Sequence, residues 1–262
     1  MGNRLRAIGS AVALAGITGR WLTVNWYQTK DLNSAFRDLF ETDGLPFNLL
    51  EHDARGLREV IPKSIWRLRE HALGMLSRPI LSPIEAEALA GKVDELKAIS
   101  SRKGTFFIRT YSRLIDDPEV FSYFRPAREL QRIIDDYLPR LRRAVGVHIR
   151  RTDNHLSVGR SPTSRFIELM QIERERDPGT QFFLATDSPD EVRRITSEFG
   201  AAVFEHAKVS LNRNSPQAIR DAVVDLYCLA SCRKLLGSYG STFSDAAGEI
   251  YQIDRVIVEE GA

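Results

Sequence analysis

The chain has 262 residues, 43% of them hydrophobic and 27% charged, enough to bury the core of one large or two small domains. Its 37 basic and 35 acidic residues leave a formal charge of +2, which argues against a dedicated nucleic-acid or membrane-surface binder. No stretch reaches the run of about 18 apolar residues that a membrane span needs.

The N-terminus admits two readings. Arg4 and Arg6 before the run Ala7–Ile17 superficially fit a signal peptide. A helix from Asn3 to Thr18, capped by Gly19 and feeding a strand over Trp21–Trp26, explains the same residues. The run is Ala- and Gly-rich, hence weakly hydrophobic, and it is expected to belong to the fold.

A short helix is expected to open at Asp31 and run through Phe36, where an acidic residue stands at its start. From Leu50 to Arg102 the pattern is less regular, with helices expected over Ile65–Met75 and Ile84–Ala98. Thr105–Arg109 reads as a strand and Ala127–Tyr137 as a helix. Next come four strands, Ala144–Ile149, Gln181–Thr186, Ala201–Phe204 and Lys234–Gly237. Each leads to a helix: Ser164–Arg176, Pro189–Phe199, Ser215–Ala230 and Phe243–Tyr251. That alternation predicts a parallel sheet with crossover helices. A boundary near Tyr137–Arg143 divides the chain into residues 1–140 and 141–262, both α/β. The cysteines, Cys228 and Cys232, are one helical turn apart, where a disulfide constrains almost nothing and two ligands do not make a zinc site. They read as buried thiols in a reducing compartment, and a cytoplasmic location is expected.

In parallel sheets ligands gather at the carboxyl ends of the strands. The first strand of the second half ends in His148-Ile149-Arg150-Arg151-Thr152-Asp153. Alternation puts His148 and Arg150 on one face, so Arg150 can meet a ligand phosphate while Arg151 pairs with Asp153 or another acid. A surface salt-bridge cluster explains the same residues. Asp187 follows the next strand as a helix cap or first-turn acid. The last strand leads into Gly237-Ser238-Tyr239-Gly240-Ser241-Thr242, a hydroxyl-rich approach to a helix that suits an anion or serves as an ordinary N-cap. No lysine follows in P-loop spacing, and no paired acids at a strand end suit Mg²⁺. An arginine and a hydroxyl-rich helix start on neighbouring strands together point to a diphosphate site.

Three runs, Gly146–Asp153, Phe183–Pro189 and Ser238–Ser244 with Glu249 beyond, resemble the motifs of the α1,6-fucosyltransferases. This group includes the nodulation fucosyltransferases and is related to the protein O-fucosyltransferases. Arg220 and Asp225 match a helix of that family that contacts the nucleotide base, and Gly2-Asn3-Arg4-Leu5-Arg6 is similar to its opening. The resemblance implies a GT-B-like α/β fold of two Rossmann-like halves. It implies a metal-independent, inverting transferase of fucose or a similar sugar from a GDP-sugar, needing no cofactor, to a glycan acceptor. The first half would face the acceptor and the second would bind the donor.

By position, Arg150 would bind the β-phosphate, with Ser238, Ser241 and Thr242 supplying hydroxyl and backbone donors. His148, Arg220 and Asp225 would serve the nucleoside, Asp187 the donor-side loop, and Asn3 and Arg4 the acceptor or phosphate side. The family's glutamate after the first motif, suggested as the catalytic base, is replaced here by Val158, leaving Asp153 and His155 as candidates. The family's opening also follows a buried strand, whereas this chain starts at Met1-Gly2, so the strand containing Val24 is expected to have an unpaired edge. Two other readings stay open: a GDP- or carbohydrate-binding protein without turnover, and a transferase using another nucleotide sugar.

Overall fold

The computed structural model describes residues 1–55, 80–81, 83–101, 104–110, 112–115, 117–151, 155–208 and 215–260. They divide into two units, Met1–Arg125 and Pro126–Ala262.

The first unit starts with α1 (Gly2–Thr18), which buries Leu5, Ile8 and Leu14. As expected, Gly19 ends it in the left-handed region at φ +62, and the Arg20 amide reaches back to the Ala15 carbonyl at 3.0 Å. β1 spans Thr23–Gln28, later than expected, and leaves Trp21 fully exposed ahead of it. β2 (Asn48–Asp53) pairs with it in parallel, from Thr23 opposite Asn48 to Gln28 opposite Asp53. The sequence pattern does not announce β2, because Asn48-Leu49-Leu50-Glu51-His52-Asp53 puts polar residues on both faces, unlike the apolar runs of most parallel strands. On its other side β1 has no strand partner among the described residues.

An aromatic core holds this pair. Trp26 meets Phe36 edge-on at 5.3 Å and donates its indole N–H to the Ser34 carbonyl at 2.9 Å. Phe36 also packs on Phe40, Phe47 and Phe124. The short helix expected from Asp31 is a single 3₁₀ turn over Phe36–Asp38, where Glu51 Oε1 takes the Phe36 amide at 2.6 Å.

β3 (Ile80–Leu81), α2 (Pro83–Ala88), α3 (Val93–Ser100) and β4 (Phe107–Ile108) complete the unit. Gly91, at φ +77, breaks the single helix expected over Ile84–Ala98 into α2 and α3. The helix expected over Ile65–Met75 lies outside the described residues. β3 and β4 form a second parallel pair above Leu14, Leu81, Ala86, Leu96 and Leu114.

The second unit contains α4 (Arg128–Leu141), β5 (Val145–Ile149), α5 (His155–Arg160), α6 (Thr163–Arg176) and β6 (Phe182–Thr186). It continues through α7 (Pro189–Phe199), β7 (Val203–Phe204), α8 (Pro216–Ala230), β8 (Lys234–Ser238), α9 (Thr242–Ile250) and β9 (Asp254–Val258). The strands form one parallel sheet in the order β7-β6-β5-β8-β9, one strand wider than the sequence pattern suggests. α4, placed by its sequence at the end of the first half, packs on α8, so the divide falls at Arg125 rather than at residue 140.

β5 and β6 are buried throughout. Val145, Val147, Ile149, Phe182 and Leu184 pack with Phe166 and Met170 of α6 and Ile195 and Phe199 of α7. On the other face a Cβ at Gly146 would stand 3.2 Å from Leu229 and 3.3 Å from Cys232 Sγ, so glycine lets α8 come close. Cys228 and Cys232 are buried there as free thiols, and burial pushes both well above the ordinary thiol range. Among the described residues no helix is long and apolar enough to cross a membrane.

Candidate functional site

The strand order fixes where to look. From β5 the chain moves outward through β6 and β7, then returns to the other side of β5 for β8 and β9. Connections therefore diverge between β5 and β8, and ligands of such sheets bind at the carboxyl ends beside that switch point.

Arg150 and Ser238 meet there. The Arg150 amide donates to Ser238 Oγ at 3.1 Å, and the same hydroxyl donates to the His148 carbonyl at 3.2 Å. His148 is buried, with Nδ1 2.6 Å from Ser244 Oγ and its ring on Phe243 at 4.9 Å between centroids. A Cβ on Gly237 would sit 2.7 Å from Ser244 Cβ, so the close crossing of β8 and α9 requires glycine.

The next turn, with Gly240 at φ +62, leads to Ser241, the N-cap of α9, whose Oγ accepts the Ser244 amide at 3.3 Å. The first-turn amides of Thr242 and Phe243 have no protein acceptor among the described residues. The turn is also tied down from β9 and α5. Ser161 Oγ accepts the Tyr239 amide at 2.8 Å and donates to the Val258 carbonyl at 2.6 Å, while the Arg160 guanidinium lies 3.8 Å over the Tyr239 ring.

The two adjacent arginines have different settings. Arg151 is locked into the fold: Nε donates to Glu191 at 2.8 Å, Nη2 to Thr163 at 3.0 Å and Nη1 to the Arg150 carbonyl at 3.0 Å. Its acidic partner among the described residues is Glu191; Asp153 lies outside them. Asp187 does not cap α7. Ser188 does, and Asp187 Oδ1 instead accepts the Arg151 amide at 2.8 Å, fixing the backbone just past β5.

Three further expected site residues, Arg220, Asp225 and His155, stand on helices of this unit. Arg220 pairs with Glu129, joining α8 to α4. Asp225 is buried on α8: Lys208 Nζ stands 3.3 Å from Oδ2 and also donates to the Thr186 carbonyl at 2.8 Å. Asp225 Oδ1 and His206 Nδ1 are 3.9 Å apart, both buried and, among the described residues, without hydrogen-bond partners. Burial lifts the Asp225 carboxyl to about 6 against the opposing pull of Lys208, and burial lowers His206. His155 begins α5, and Val158 of that helix is exposed.

In the first unit, Asn3 is exposed on α1 and Arg4 is half-buried. Its Nη1 donates to the Tyr27 carbonyl at 2.7 Å and its guanidinium lies 4.8 Å over Trp26.

No family model matches the sequence, and no curated protein matches it. Solved structures do. NodZ α1,6-fucosyltransferase soaked with GDP-fucose is 18% identical, with 95% of this chain and 89% of that one covered at a TM-score of 0.63. The fold is that of the fucosyltransferases. The apo form of POFUT1 superposes at 0.61 with 11% identity over 98% of this chain and 94% of its own. A mutant of Arabidopsis thaliana FUT1 in complex with GDP superposes at 0.60, with 14% identity, over 98% of this chain and 67% of its own.

Sequence reasoning missed Lys208 and Ser161. Lys208 follows β7 in a short polar run, Glu205-His206-Ala207-Lys208, at a strand's carboxyl end, which is the available signal. Ser161 carries none, because its partner carbonyl lies on the unanticipated β9.

Proposed function

We propose that the protein is a metal-independent, inverting glycosyltransferase that moves fucose or a related sugar from a GDP-sugar to a glycan hydroxyl. The reading is carried by the coupling of Arg150 to Ser238 at the β5/β8 switch point, one turn before the N-terminus of α9. Structural likeness to proteins solved with GDP or GDP-fucose supports the choice of donor.

In this reading the second unit binds the donor and the first the acceptor. When the glycosidic bond to the diphosphate breaks, charge builds on the β-phosphate. The Arg150 guanidinium, the Thr242 hydroxyl and the free amides at the start of α9 stabilise that charge, with Ser241 holding the turn. Arg150 thereby supplies the positive charge that a divalent cation provides elsewhere. Ser238 holds the arginine's backbone, and Asp187 holds that of Arg151 beside it.

His148 serves the nucleoside side by fixing the first turn of α9 through Ser244. Asp225 accepts guanine N–H groups once Lys208 releases or shares its carboxylate. Val158 brings no acid–base chemistry, so the proton of the incoming hydroxyl passes to Asp153 or His155.

Incubation with GDP-fucose, GDP-mannose and UDP-glucose, followed by ³¹P NMR of nucleoside diphosphate release, tests this. Preferential consumption of GDP-fucose is expected. Preferential use of UDP-glucose would overturn the guanine reading, and release from none of them would overturn the enzyme reading.

A further inference from the structure

Parallel strands are ordinarily covered on both faces by their crossover helices. Among the described residues the β1–β2 pair is covered on one. Val24, Trp26 and Leu49 belong to the inner face, with Trp26 in the aromatic core. On the other face Thr23, Asn25 and Tyr27 stand opposite Asn48, Leu50 and His52. Four of these six are exposed, and Tyr27 and His52 are half-buried.

The chemistry of that face is specific. None of the six carries a carboxylate, ammonium or guanidinium. The Tyr27 and His52 rings stack at 4.6 Å with 20° between their planes, and each keeps one face unused by the pair. His52 Nε2 lies 2.8 Å from Asn25 Oδ1; the amide oxygen only accepts, so Nε2 is the donor of that contact and Nδ1 is left outside it. Among the described residues, the Tyr27 hydroxyl, the Asn25 amide nitrogen and His52 Nδ1 have no further protein partner. The face thus offers an aromatic surface, a donor, an acceptor and a hydroxyl that serves as either, at the carboxyl end of two parallel strands.

A pyranose has the complementary character. Its C–H face packs on an aromatic ring, and its hydroxyls need donors and acceptors rather than charges. A phosphorylated or acidic ligand would find no cation among these six residues.

We propose that the Asn25–Tyr27–His52 face binds an uncharged carbohydrate and, resting on the glycosyltransferase reading, that it holds the acceptor glycan.

Saturation-transfer NMR on the full chain, using chitotriose, cellotriose, maltotriose and mannotriose as probes, tests the proposal. At least one triose is expected to bind, with transfer strongest at its ring C–H protons. Its dissociation constant should rise roughly tenfold in Tyr27→Ala and in His52→Ala, and less in Tyr27→Phe, which keeps the ring. GDP affinity, measured by calorimetry, should not change in any of them. Failure of all four trioses to bind, or binding indifferent to both alanine variants, overturns the proposal whatever GDP does. Dimerisation through this face, abolished by the same substitutions, also overturns it by assigning the face to a second copy. Absence of GDP binding in the wild type, with triose binding intact and sensitive to Tyr27, overturns the donor reading alone. If Tyr27→Ala also loses GDP affinity through misfolding, Asn25→Ala, at an exposed position, carries the test with the same expected loss.

Discussion

The Arg150 amide, two residues past His148, is held at 3.1 Å by the Ser238 hydroxyl, one residue past Gly237; His148 and Gly237 are the last paired position of β5 and β8. A side chain of one strand thus continues the hydrogen bonding of the other and sets where the Arg150 backbone leaves the sheet. Ser238→Ala removes the hydroxyl that the Arg150 amide donates to and that reaches the His148 carbonyl. Stability should fall by about 1–3 kcal/mol in urea titrations, and GDP affinity should fall with it. Full stability with lost GDP affinity would mean that Ser238 touches the ligand rather than the arginine's backbone.

Gly237 makes the approach of β8 to α9 possible. Gly237→Ala places a methyl 2.7 Å from Ser244 Cβ and forces Ser244 away from His148. The expected cost is about 1–3 kcal/mol, typical of overpacking. Adding Ser244→Gly to that variant should recover part of it, measured as the denaturation midpoint.

Arg4 separates a structural from a functional role. Burial pulls its guanidinium down to about 10, and its partners are a strand-end carbonyl and an indole ring. Arg4→Met should therefore lower stability by about 1.5–3 kcal/mol, the range for a hydrogen bond from a charged group, and leave GDP affinity unchanged. Undiminished stability with weakened GDP binding would restore it to the phosphate side.

Much of the second unit is legible in the sequence because its strands are apolar runs of five or six residues separated by amphipathic helices. Arg150, Asp187 and Ser241 are visible for the same reason: each stands just past the end of such a run. β2 is hidden by its polar outer face, with Asn48 and His52 where a covered strand would carry apolar residues. β9 is hidden by its position at the end of the chain, with Asp254 and Arg255 in its first half. Asp187 is visible at its strand end, but its partner there is not. Whether an acid caps its own helix or reaches a neighbouring strand depends on a contact 36 residues away, between Asp187 and Arg151. Lys208 and Asp225 pair across 17 residues, and no local pattern records it.

That pair gives a pH signature. Burial raises the Asp225 carboxyl from an ordinary 3.8 to about 6, so between those values the folded state binds more protons than the unfolded one. The Asp225 contribution to stability therefore falls as pH rises from about 4 to about 6 and is flat above that. His206 opposes it: its pKa is lowered on folding, so its contribution grows as pH rises toward its ordinary value of 6.5. Lys208, Asp221 and Glu205 also act on these groups. Comparing wild type with Asp225→Asn isolates the carboxyl. The wild type should lose stability relative to the variant across that interval, measured by urea titrations at several pH values. A difference independent of pH would show that Asp225 titrates as an ordinary acid.

Calorimetric titration of GDP, UDP and ADP into the wild type and Arg150→Ala tests the central claim most directly. GDP should bind the wild type more tightly than the other two, and its affinity should weaken by more than about 1.5 kcal/mol in the variant, as expected on losing a charge-assisted hydrogen bond. Equal, weak binding of all three nucleotides, or GDP affinity indifferent to Arg150, would contradict a diphosphate site at the β5/β8 switch point.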